Sequence, residues 1–146
     1  MKRIILFIGI ILSITTILSF NTRNKLPYKS LCDTAKAQNK NIIVYFSGSD
    51  WCANCNKFKK EVLNTPEIKK SIETDYVYHI ADFPQRTELS EELETLNNAL
   101  AEKLNNQGVF PLLVITDKNL TIKKVINMNT STDKTLKALK ALKDNR

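Results

Sequence analysis

Two thiols stand three residues apart in Cys52-Ala53-Asn54-Cys55, directly after Trp51. Residues at i and i+3 share one side of a helical turn, so a disulfide can close across them with little change in backbone. A close pair of this kind can ligate zinc, carry a covalent haem, cross-link the chain or exchange disulfides. Zinc sites use about four ligands, and beyond the pair the chain offers only Cys32 and a single histidine, His79. Haem attachment needs His immediately after the second Cys, where Asn56 stands. A purely structural cross-link over so short a step closes almost no loop and stabilises little. These counts leave no metal or cofactor expected and favour redox exchange. If the pair opens a helix, Cys52 lies at the positive end of the dipole, where unpaired amides favour a thiolate. In such motifs the thiol pKa falls from ~8.5 into roughly 3.5–7.5. Cys52 is then the nucleophile, and Cys55, one turn deeper, resolves the mixed disulfide.

The flanking residues predict elements that would hold the pair in this way. Ile42–Phe46 is a β-branched and aromatic run, typical of a buried strand, and Ser47-Gly48-Ser49-Asp50 breaks it just before Trp51. A helix is expected from Cys52 to about Leu63, with Phe58 and Val62 on one face. Thr65-Pro66 reads as an N-cap followed by a first-turn proline, so a new helix starts there. Upstream, Tyr28, Leu31, Cys32 and Ala35 have helical spacing. Tyr76–Ala81 reads as a strand closed by Asp82-Phe83-Pro84, a turn that could also face substrate. The spacing of Leu89, Leu93, Leu96, Leu100 and Leu104 predicts a helix over residues 87–106, stopped before Gly108. Leu112–Thr116 and Thr121–Ile126 flank a tight turn and read as a hairpin. Ser131-Thr132-Asp133 caps a last helix carrying Leu136, Leu139 and Leu142. This order implies an α/β fold, a central mixed sheet flanked by helices.

Composition bounds the rest. Of 146 residues, 42% are hydrophobic and 25% charged, which fits a folded domain rather than a disordered chain. The formal net charge of +7 includes Lys2 and Arg3, and the remaining lysines are scattered. Nucleic-acid binding needs basic residues clustered on one face and is not expected. Met1-Lys2-Arg3 precedes an uncharged apolar run, Ile4–Phe20. A positive start before such a run is the pattern of a secretory signal peptide or a signal anchor. As a helix, seventeen residues reach ~26 Å, a little short of a ~30 Å hydrocarbon core. Residues 1–20 are therefore expected to be signal or anchor, residues 21–26 a linker and residues 27–146 one domain. Residues 4–20 would contact the membrane if uncleaved. The chain is then exported across the cytoplasmic membrane, periplasmic or anchored in the inner membrane, where an oxidising milieu lets the pair form a disulfide.

The segment Val44–Cys55, with Ser-Asp-Trp-Cys-x-x-Cys at its end, resembles the strand and active-site turn of the thioredoxin superfamily. It is especially similar to envelope members and to the exported reducing domains of bacterial disulfide-interchange proteins. Gly108–Val114 resembles the family's cis-proline loop and following strand. The resemblance covers about residues 27–143 and implies a thioredoxin-like fold. It implies that Cys52 attacks a substrate disulfide and that Cys55 releases product. Pro111 is cis in this reading, Phe110 offers its backbone to a substrate strand beside Cys52, and Trp51 packs beside the nucleophile. Trp51, Phe110 and Pro111 are thus the expected substrate-binding residues. The implied function is reduction of disulfides in exported proteins, by a monomer supplied with electrons by a membrane or soluble redox partner. The alternative is a thioredoxin-fold binding or chaperone module whose cysteine pair is not catalytic.

The sequence departs from the family in two respects. Tyr45 and Phe46 occupy the region where the best-known thioredoxins carry a buried acid, so proton removal from Cys55 must use water or another base. The dipeptide Ala53-Asn54 is neither Gly-Pro nor Pro-His, and no redox potential is assigned from it. Asp50 would oppose a thiolate if close to Cys52, and Lys57 and Lys59 would favour one if they reach back. Cys32 is expected to be a buried free thiol and His79 a structural residue.

Overall fold

The computed structural model describes residues 26–143. The expected signal or anchor segment over residues 1–20 lies outside the described residues. In chain order the elements are α1 (Lys29–Ala37), β1 (Asn41–Ser47), α2 (Ala53–Phe58, continued by a π-turn over Lys59–Leu63), α3 (Pro66–Asp75) and β2 (Tyr76–Asp82). They continue with α4 (Glu91–Leu104), β3 (Leu112–Thr116), β4 (Ile122–Asn127) and α5 (Thr132–Lys143). Among the described residues no helix is long and apolar enough to cross a membrane.

The four strands form one sheet in the order β2-β1-β3-β4. β1 runs parallel to β2 and antiparallel to β3, and β3 pairs with β4 as a hairpin. Every residue of β1 and β3 is buried. This double burial is why both read as continuous apolar runs rather than alternating ones. The two-residue period still sorts their side chains between two cores. Ile43, Tyr45, Leu113 and Ile115 pack with Phe58, Val62, Ile68, Ile72 and Leu139, on the side of α2, α3 and α5. Ile42, Val44, Phe46, Leu112 and Val114 pack with Cys32, Ala35, Leu100 and Leu104, on the side of α1 and α4. The expected α/β architecture, a mixed sheet between helices, is the one observed.

Two helices differ from the sequence reading. The expected single helix from Cys52 to Leu63 is an α-helix over Ala53–Phe58 that widens into a π-turn over Lys59–Leu63. Thr65 does precede a helix with proline in its first turn, but its hydroxyl bonds back to the Val62 carbonyl at 2.8 Å. It closes the π-turn instead of capping α3. The helix expected over residues 87–106 begins only at Glu91, after the Ser90 N-cap. Leu89 therefore lies outside it, and residues 83–87 form a separate loop whose amides are satisfied elsewhere. At the other end Asn105 leaves the helix and Gly108 takes φ +63°, a left-handed conformation that glycine adopts without strain.

The register brings three segments to one end of the sheet. Phe46 of β1 lies opposite Leu112 of β3, so the chain leaving β1 and the chain entering β3 through Pro111 are side by side. Ser47 lies opposite Asp82, so β2 ends at the same edge. Residues 47–52, 82–83 and 110–111 converge there.

Candidate active site

Cys52 is the N-cap of α2 in extended backbone, and Cys55 lies within the first turn. The two are joined by a disulfide with their Cα atoms 5.2 Å apart. Cys52 keeps 7% of its surface exposed and Cys55 none. The Cys55 amide donates to Cys52 Sγ at 3.1 Å. That amide, which also reaches the Cys52 carbonyl at 3.0 Å, belongs to the first turn of the helix and is positioned to stabilise charge on Sγ when the pair is reduced. The turn before α2 is tied to Gly48, whose carbonyl accepts the amides of Trp51 at 3.3 Å and Cys52 at 2.8 Å.

Gly48 has a steric role that the sequence did not reveal. A Cβ at this position would stand 2.2 Å from Trp51 Cε2, so the indole lies directly on the glycine backbone. Trp51 is 40% exposed, and its Nε1 donates to the Phe83 carbonyl at 2.7 Å. Its ring meets Phe110 edge-on, with centroids 5.6 Å apart. Phe110 meets Phe83 in the same manner, also at 5.6 Å. The Phe110–Pro111 peptide bond is cis, and Pro111 is buried. The expected substrate-binding residues Trp51, Phe110 and Pro111 are thus together beside the disulfide turn. Phe83 joins them, from the segment that the sequence read first as a turn and second as a substrate-facing loop.

The region beneath the pair holds no carboxylate in the family's usual place. Phe46 faces the α1 and α4 core. Tyr45 faces the other side, stacks on Phe58 with centroids 6.0 Å apart, and donates its hydroxyl to the Cys55 carbonyl at 2.9 Å. Burial pushes the Tyr45 phenol above its ordinary range, so it remains a donor at neutral pH. Asp50 does not face the pair with its hydrogen-bonding oxygens. They accept the amides of Gln85 at 2.9 Å and Arg86 at 2.7 Å. The Gln85 amide above all, joined by that of Arg86, holds the carboxyl below the usual range, against desolvation that pushes it up. Lys57 and Lys59 are exposed on the helix surface.

His79 has a structural partner, and Cys32 is held in the core. Asn97, 1% exposed, donates to the Asp82 carbonyl at 2.9 Å and accepts from His79 Nε2 at 2.9 Å. Because its amide nitrogen is committed to a carbonyl, its oxygen fixes His79 Nε2 as the protonated nitrogen. Cys32 is a buried free thiol, raised in pKa chiefly by that burial.

A sheet edge that delivers a dithiol to the open end of a helix, with a cis-proline on the adjoining strand, defines the thioredoxin class of redox folds. The thioredoxin-like domain family matches residues 28–142, and the chain belongs to it. Over 90 residues it is 32% identical to the disulfide bond reductase DsbH of Chlamydia pneumoniae, covering 62% of this chain and 54% of that protein. Over 111 residues it is 25% identical to the thioredoxin-related protein DsbJ of Chlamydia pneumoniae, covering 76% of this chain and 32% of that one. The match thus spans about half of the first relative and about a third of the second. Among solved structures, a DsbH oxidoreductase superposes with a TM-score of 0.70 at 25% identity, covering 79% of this chain and 80% of the other. The oxidised C-terminal domain of Neisseria meningitidis DsbD superposes at 0.54 and 20% identity, covering 78% and 91%, which speaks to the fold alone.

Proposed function

We propose that the chain is a thiol–disulfide oxidoreductase that reduces disulfides in exported proteins. The observation that carries this reading is the Cys52–Cys55 bridge across the opening turn of α2, with Cys52 at the helix end keeping 7% of its surface exposed and Cys55 fully enclosed behind it. In the reduced protein the Cys52 thiolate attacks one sulfur of a substrate disulfide. A Cys52–substrate disulfide forms, and the other substrate sulfur leaves as thiolate and takes a proton. The Cys55 thiolate, its proton lost to water, then attacks Cys52 Sγ. The second substrate thiolate departs and the Cys52–Cys55 disulfide is left. The substrate gains two electrons and two protons, and a partner dithiol restores the enzyme by the reverse exchange.

Cys52 is the catalytic nucleophile in this reading and Cys55 the resolving residue. Trp51, Phe110 and cis-Pro111 bind the substrate polypeptide. Pro111 has no N–H, and the preceding Phe110 can offer its backbone carbonyl to an extended segment. The reducing direction is supported by the name of the 32% identical relative, a disulfide bond reductase. Export is supported by the positive start and apolar run of residues 1–20.

Insulin reduction with dithiothreitol tests the activity. The unmodified protein accelerates the reaction, and Cys52→Ser abolishes the acceleration. Cys55→Ser accumulates a mixed disulfide with the substrate. Full activity in Cys52→Ser would overturn the reading. Cell fractionation tests export separately, with the protein expected in the envelope.

A further inference from the structure

The substrate groove of a thiol-exchange protein needs walls, and two are already in place: the Trp51 turn and the Phe110–Pro111 loop. A third segment reaches the same sheet edge at Asp82. It is joined to the Cys52 turn by a dense set of hydrogen bonds that neither local propensity nor the chemistry of the cysteine pair requires. Asp82 Oδ1 accepts the Ser49 amide at 2.8 Å, and Asp82 Oδ2 accepts the Ser49 hydroxyl at 2.6 Å. The Phe83 carbonyl accepts Trp51 Nε1 at 2.7 Å, and the Phe83 amide donates to the Ser47 carbonyl at 2.8 Å. Asp50 then takes the amides of Gln85 and Arg86. These contacts hold Phe83 against Phe110, which itself touches Trp51.

On the α4 side, Asn97 donates to the Asp82 carbonyl and Phe83 packs against the core between α1 and α4. A cleft of about 440 Å³ lies beside the loop, lined by Asp82, Phe83, Pro84, Thr87, Leu89 and Asn97 among others. The loop precedes the Ser90 N-cap and belongs to no helix or strand. Past Asp82, the hydrogen bonds that fix the loop backbone come from the Cys52 side.

We propose that residues 82–86 form the third wall of the substrate groove, that Phe83 is a specificity-determining contact for the polypeptide segment flanking the substrate disulfide, and that Asp50 is the positioning residue that holds this wall in place. This deepens the proposed reductase reading and rests on it. The Phe83, Phe110 and Trp51 rings make one continuous aromatic surface, so the substrates it favours carry an apolar side chain beside the reactive cysteine. Asp50 acts through the loop, its two oxygens engaged by the Gln85 and Arg86 amides. Its acidity follows from this geometry, since two amide donors stabilise the carboxylate.

The test compares a protein disulfide, insulin, with a small one, dithiobis(nitrobenzoate), which is too small to span the groove. The readout is the ratio of their kcat/KM values. Asp50→Ala removes both acceptors and lowers this ratio about tenfold. Asp50→Asn keeps the shape and one acceptor oxygen, and lowers it less. Phe83→Ala also lowers the ratio, and the double variant Asp50→Ala/Phe83→Ala falls no further than the larger single effect, because both act through one wall. The redox potential of the cysteine pair stays the same in Asp50→Asn. A ratio unchanged in Asp50→Ala, or losses that multiply in the double variant, would overturn the proposal while leaving the reductase reading intact. Loss of both activities in the unmodified protein would instead defeat the reductase reading.

Discussion

Replacing Gly48 with alanine probes how tightly the active-site turn is packed. The backbone at Gly48 is not in the left-handed region, so alanine carries no conformational penalty there. The cost is steric: the added Cβ would stand 2.2 to 2.5 Å from three atoms of the Trp51 indole. Such separations do not persist, and Trp51, being 40% exposed, swings outward. It then gives up its hydrogen bond to the Phe83 carbonyl and its edge contact with Phe110. Each interaction is worth ~0.5–1.5 kcal/mol. Water re-solvates the exposed indole N–H, so the low end applies to the hydrogen bond and the total is about 1–2 kcal/mol. Urea unfolding of the oxidised protein measures this. Trp51 is the single tryptophan, so its emission reports the displacement directly and shifts to the red. In a Trp51→Ala background the same Gly48→Ala change costs close to nothing, which separates steric displacement from any general effect of the substitution. Unchanged emission and an unchanged midpoint in Gly48→Ala would refute the packing described for this turn.

Three further outcomes follow from the buried groups. Tyr45→Phe deletes the hydroxyl donated to the Cys55 carbonyl but keeps the ring on Phe58; it lowers unfolding stability by about 1 kcal/mol, and no change in the urea midpoint would count against that bond. Asn97→Leu strands the Asp82 carbonyl and His79 Nε2; both are half-buried and can partly regain water, so it destabilises by about 1 kcal/mol, readable in thermal unfolding. Burial raises the Cys32 thiol, so the unfolded chain ionises first as pH rises. Its contribution to stability is full below the unfolded thiol range near ~8.5 and is lost as pH climbs through the higher folded value. Cys32→Ala therefore shows a smaller loss of stability between pH 8 and pH 10 than the unmodified protein, and equal losses would contradict the burial effect.

Most of the scaffold was legible in the sequence because burial writes itself into composition. β3 is found at Leu112–Thr116 as read, and β1 and β2 each extend the apolar runs by a residue or two. The cysteine pair and the cis-proline were legible through spacing and resemblance. What escaped were interactions between loops far apart in sequence. Nothing periodic links Asp50 with Gln85 and Arg86, or Trp51 with the Phe83 carbonyl. Asp50 therefore read as a charge near the thiol when it is a cap for a distant loop. The useful signals were chemical: a short donor, Ser49, and a short acceptor, Asp50, side by side in the turn before the cysteine pair, and a glycine three residues before a tryptophan. The late start of α4 has the same origin, since Leu89 continues the leucine spacing although Ser90 caps the helix after it. Pattern registers which side chains are apolar, and capping decides where the backbone turns helical.

The central claim is that the helix opening at residue 52 makes one sulfur reactive and shields the other. Reduce the protein, expose it briefly to iodoacetamide at pH 6, and map the label by mass spectrometry. The account predicts label on Cys52 at least about tenfold faster than on Cys55 or Cys32, in keeping with thiolate-controlled reactivity. Equal labelling of the three thiols, or label appearing first on Cys55, would contradict it.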